Sequence, residues 1–101
     1  MKKLPVGSIK SPVGSIVLIP CKVKPGMRAD ERFVRIERKA DDPIVGFIDK
    51  KWIVEKNGAQ FIVGSVFEWI NDDQLRVFMQ GELSTNNIPS FLRSDVTEAD
   101  V

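Results

Sequence analysis

The chain has 101 residues, 43% hydrophobic and 29% charged, the composition of one soluble globular domain with a single core rather than of a disordered segment. Its formal charge of +1 excludes a strongly basic or acidic body, and it holds one cysteine, Cys21, with no histidine or tyrosine. An intramolecular disulfide is therefore excluded, the commonest general base and metal ligand is missing, and no apolar run approaches the ~20 residues of a membrane helix. The chain is expected in the cytoplasm or another reducing interior, with no cofactor and no membrane partner.

The string Pro-Val-Gly-Ser-Ile occurs twice, at residues 5–9 and 12–16. A phosphate loop does not fit, because Gly7 and Gly14 stand far apart and β-branched residues follow, not a helix whose N-terminus could face an anion. A secretory leader is not expected, since Pro5, Gly7, Lys10, Pro12 and Gly14 interrupt the apolar segment it needs and Pro20 fills the small-residue position before Cys21. Two copies are too few and too short for a solenoid. The second copy is expected to launch the first long strand. The first belongs to a loose N-terminal arm over residues 1–11.

Short runs rich in Val, Ile, Phe and Trp follow, at 14–19, 32–38, 44–49, 51–56, 60–70 and 74–82, separated by Gly, Pro, Asn and Asp. They predict an all-β single domain: a small, partly open antiparallel β-barrel of five or six strands, SH3-like or OB-like in strand count and turn placement. Lys24-Pro25-Gly26-Met27 fits a type II turn with Gly26 at φ > 0. Asn57-Gly58 is the strongest hairpin signal, with Glu55 opposite Gln60, Val54 opposite Phe61 and Trp52 opposite Val63. That register offers Trp52, Val54, Phe61 and Val63 as a core wall, yet Ile53 and Ile62 make the alternate face apolar too. A strand apolar on both faces is buried twice or has a partner. Gly64-Ser65 marks a bend in the long run. Asp72-Asp73 is expected as a two-residue loop placing Trp69 opposite Arg76 and Phe67 opposite Phe78. Residues 89–95 suit one helical turn or a closing strand, and 97–101 a frayed tail.

Little chemistry remains. Cys21 lies at a predicted strand end, where a half-buried filler is the ordinary role, although Lys22 and Lys24 would lower its pKa if they approached it. The acidic pairs Asp41-Asp42 and Asp72-Asp73 suit backbone hydrogen bonding in turns. Residues 1–28 carry six bases and no acid, whereas residues 57–101 carry seven acids and two bases. The function expected is a non-catalytic interaction module that binds a protein partner or self-associates through an apolar sheet face or edge, with Trp52, Trp69, Arg76, Phe67 and Phe78 as candidate contacts. The alternative is a nucleic-acid-binding barrel in which Lys22, Lys24 and Arg28 meet phosphates beside exposed aromatics.

Overall fold

The computed structural model describes residues 10–98; the first copy of the repeat and most of the expected N-terminal arm lie outside the described residues. Nine strands form: β1 (Ile16–Pro25), β2 (Glu31–Ile36), β3 (Ile44–Asp49), β4 (Ile53–Lys56), β5 (Ala59–Trp69), β6 (Gln74–Phe78), β7 (Glu82–Leu83), β8 (Ser90–Leu92) and β9 (Thr97–Glu98), with 3₁₀ turns at Lys50–Trp52 and Arg93–Asp95. They join in one sheet with the path β7-β3-β2-β1-β5-β6-β8, β4 adding to β5 and β9 to β1. The sheet curls into a half-barrel, an all-β, barrel-like fold. The strands beyond the expected five or six are β7, β8 and β9, two or three residues each, too short to leave a periodic pattern.

Two long strands organise the sheet, and both are forked. One edge of β1 pairs with β5, from Ile16 opposite Ser65 to Cys21 opposite Gln60, while the other edge takes β9 at Val17–Leu18 and β2 from Lys22 onward. Likewise β5 holds β1 on one edge and β4, then β6, on the other. Side chains alternate across these strands. Val17 and Ile19 of β1, Val34 and Ile36 of β2, Ile44 and Ile48 of β3, Ile62 and Val66 of β5, and Leu75 and Val77 of β6 turn inward and are buried. Met79, Phe91 and Val96 complete that core.

The wall of β5 facing this core is the Ile62 face; the expected wall of Val54, Phe61 and Val63 is the outer one. Curvature decides between two apolar faces, because only the concave side is covered by the rest of the sheet. The bend also moves. Gly64 stays in register opposite Val17, in a place with no room for a side chain: a Cβ there would lie 2.6 Å from Val77 Cγ1 and 3.1 Å from the Phe78 carbonyl. The bulge falls at Phe67, between the pairs Val66–Val77 and Glu68–Arg76. One extra residue reverses the alternation. Glu68 consequently points outward, Trp69 turns inward opposite Leu75, and Phe78 sits opposite Ser65, not Phe67. The hairpin after Trp69 is longer than two residues: the Ile70 N–H donates to the Gln74 carbonyl (2.9 Å), and the Asn71 side chain accepts from Asp73 N–H (2.8 Å).

Other turns show which local signals were strong. Gly26 is not at positive φ; the β1–β2 connection turns at residues 28–31, where Glu31 N–H donates to the Arg28 carbonyl (3.1 Å). Asn57 (φ 53°) and Gly58 (φ 81°) form the expected hairpin with Val54 opposite Phe61, but Trp52 lies in the 3₁₀ turn and does not pair with Val63. The second Pro-Val-Gly-Ser-Ile does lead into β1, through a turn closed by Ser15 N–H and the Pro12 carbonyl (3.0 Å). Residues 74–82 are not one strand: the chain leaves β6 after Phe78, crosses to β3 as β7, and returns to β6 as β8. Thr97 and Glu98, expected to head a frayed tail, pair with Leu18 and Val17.

Gly58 has open space around its Cβ direction, so Gly58→Val tests backbone strain alone and is expected to cost about 1–2 kcal/mol. Gly64→Val forces a side chain into buried Val77 and is expected to cost more than Gly58→Val, beyond the ~1–3 kcal/mol of ordinary overpacking. Urea unfolding midpoints of the two variants check the order; a costlier Gly58→Val would contradict the register given for β5 and β6.

Candidate interaction surface

Pairing of β1 with β5 sends alternate residues outward as surely as it sends the others inward. The outer rows are Ile16–Ser65–Phe78, Leu18–Val63 and Pro20–Phe61–Val54. Leu18, Val54, Phe61 and Val63 are half-buried by their neighbours, while Ile16 is 49%, Phe67 47% and Phe78 39% exposed. At the rim Arg76 Nε lies 2.9 Å from Glu68 Oε1. Of the five candidate contacts, Phe67, Phe78 and Arg76 come together on this face. The two tryptophans do not join them.

Both indoles are half-buried and pack against the core. The Trp69 Nε1–H donates to the Ser11 carbonyl (2.8 Å), and the Arg93 guanidinium lies 5.1 Å from its ring centroid. Trp52 is held in its 3₁₀ turn by Asp49, whose carboxylate accepts from Lys51 N–H (2.9 Å). The outer residues that the sequence reading missed are Ile16, Leu18, Val63 and Pro20. The signal for them is the β1–β5 register, which neither strand carries alone.

Trp69 also belongs to a clasp joining distant parts of the chain. Glu98 Oε1 accepts from the buried Ser11 hydroxyl (2.8 Å) and Ser11 N–H (3.1 Å), and Glu98 Oε2 from Arg93 Nε (2.7 Å). Burial alone would raise the Glu98 carboxyl, but the bonds from Ser11 and Arg93 outweigh it and hold the group below its ordinary value. Beside it Lys10 bridges to Asp72 (2.5 Å), lowering that exposed carboxyl too.

The three candidate anion contacts are not one cluster. Lys24 and Arg28 line a hollow at the β1–β2 hairpin, whereas Lys22 lines a cleft of about 440 Å³ beside Pro20 and Cys21, between the stretches of β1 that pair with β9 and with β2. Arg28 is 3.9 Å from Asp30 and 3.6 Å from Glu31. Cys21 is half-buried in that cleft's wall, and burial pushes its thiol up to about 11, so Lys22 and Lys24 do not activate it. Asp41 accepts the Asp42 N–H (2.8 Å), a turn role. Among the described residues no three Cys, Asp or Glu side chains gather as a metal site.

Because its folded pKa is depressed, Glu98 adds stability that is fully present above its ordinary value of 4.5 and lost as pH falls through the lower folded value. Glu98→Gln is expected to cost on the order of 1–2 kcal/mol near neutral pH. The gap between variant and parent should narrow as pH falls below 4.5 and through the depressed folded value, read by urea unfolding at neutral and at acid pH. No protein-family model, curated protein or solved structure matches this chain.

Proposed function

We propose that this protein is a non-catalytic interaction module that pairs with a second copy of itself through the outer face of β4, β5, β1 and β6. The observation that carries the reading is the set of mainly apolar outer rows, interrupted only by Ser65, with Ile16, Phe67 and Phe78 exposed at one end. A contiguous apolar face of this kind is costly in water and characteristic of interfaces. Glu68 and Arg76 put opposite charges side by side at its rim, so a two-fold arrangement sets each beside its opposite on the other copy without a like-charge clash. The raised Cys21 thiol favours a role without nucleophilic catalysis.

Light scattering over a concentration series is the test. The parent is expected to approach twice the monomer mass, and Phe78→Asp, which places a charge on an exposed position of the face, is expected to remain a monomer with an unchanged circular dichroism spectrum. A parent that stays monomeric at high micromolar concentration, or a Phe78→Asp variant that still dimerises, would refute it.

A further inference from the structure

Across β1 from the apolar face, register assembles a second surface of different chemistry. Lys24, Phe33 and Phe47 form one outer row over β1, β2 and β3, and Lys22, Arg35 and Val45 form the next. Along a strand these rows lie about 7 Å apart, two residues of rise. Lys22, Lys24 and Arg35 are exposed and the two phenylalanines half-buried. The rings meet edge to face, with centroids 5.4 Å apart at 65°, so each fixes the other while Phe33 stays beside Lys24.

Among the described residues the side chains of Lys22 and Lys24 have no partner, as is also true of Lys50 and Lys56; what distinguishes Lys22 and Lys24 is that they share one strand beside the aromatic pair. Lys10, Arg28, Arg35, Arg38, Arg76 and Arg93 each lie against a carboxylate. Among the described residues neither the Lys22 nor the Lys24 side chain enters an ion pair or a hydrogen bond. Two unpaired cations beside an aromatic pair can take up phosphate without breaking any bridge. Basic side chains continue at both ends of the row, with Arg35 and Lys39 in the 440 Å³ cleft and Arg28 and Arg32 in the hairpin hollow. Acids lie at the margins of the face: Glu82 faces Phe47, Glu31 faces Asp49 in the adjoining row, and Glu37 and Asp95 line the cleft with Arg35 and Lys39.

We infer that this face binds single-stranded nucleic acid, its phosphates on Lys22 and Lys24 and a base against Phe33 and Phe47. The backbone follows β1, where the cations are, and is kept off the β3–β7 edge by Glu82. Stacking on a phenylalanine tolerates any base, so binding is without sequence preference. The inference is independent of self-association, which uses the other half of the outer surface.

Fluorescence anisotropy with a labelled oligothymidylate of about a dozen nucleotides tests it. The parent is expected to bind with a log–log salt slope of about −1.4, from two phosphates at about −0.7 each. Lys24→Glu should weaken binding about tenfold and flatten the slope by about 0.7. Phe33→Ala should weaken binding about tenfold with the slope unchanged, its folding confirmed by circular dichroism. Lys56→Glu, the same charge change on the Asn57-Gly58 hairpin, should behave as the parent. No binding at low salt, equal losses in Lys24→Glu and Lys56→Glu, no loss in folded Phe33→Ala, or equal affinity for duplex would each overturn the assignment.

Discussion

The pairing of β1 with β5 is the constraint on which the rest depends. Both strands are apolar on both faces, and the register from Ile16–Ser65 to Cys21–Gln60 allows only one face to lie inside the curl. Once Val17, Ile19 and Ile62 are committed to the core, Ile16, Leu18 and Val63 have nowhere to go but outward. The exposed apolar surface is thus not an accident of a few side chains. It is the unavoidable second side of a pair that builds the core.

The bulge at Phe67 settles where that surface stops. Without the extra residue, Glu68 would follow Val66 into the core, and burying a carboxylate there would cost several kcal/mol. With it, Glu68 meets Arg76 outside and Trp69 swings in toward Leu75. Trp69 can then receive Ser11 and Arg93 around its ring, and through Ser11 the Glu98 clasp. A single insertion in one strand therefore positions both the rim of the apolar face and the closure of the sheet.

Much of the fold was legible in the residues, for reasons that differ by element. The run 44–49 coincides with β3, because a proline precedes it and a polar turn ends it, and Asn57-Gly58 is a hairpin because its dihedrals leave few alternatives. The all-β class followed from the many short β-branched runs. What escaped was parity: in β5 each face reads as apolar, so alternation could not say which was core, and Trp52 and Trp69 were placed with Phe67 and Phe78 in one cluster that the 3₁₀ turn and the bulge divide. The row that sets Phe33 beside Lys24 and Phe47 beyond it escaped as well, because it exists only through two successive strand pairings. The strands β7 and β9 depend on distant partners and have no local signature, whereas β8 and the 3₁₀ turn after it fall within residues 89–95, expected as a closing strand or a helical turn.

The clasp between Ser11 and Glu98 joins residues 87 apart in the chain. Bringing such distant segments together carries the loop-closure entropy of nearly the whole chain, whereas the β4–β5 hairpin closes over two residues. Folding therefore has a built-in order, with local hairpins early and the β9–β1 seam at the end, and the topology belongs to the slow, high-contact-order class. Until that seam closes, the edge of β1 at Val17 and Leu18 is open to pairing with a neighbouring chain, which makes the interval before closure the period of greatest exposure to aggregation.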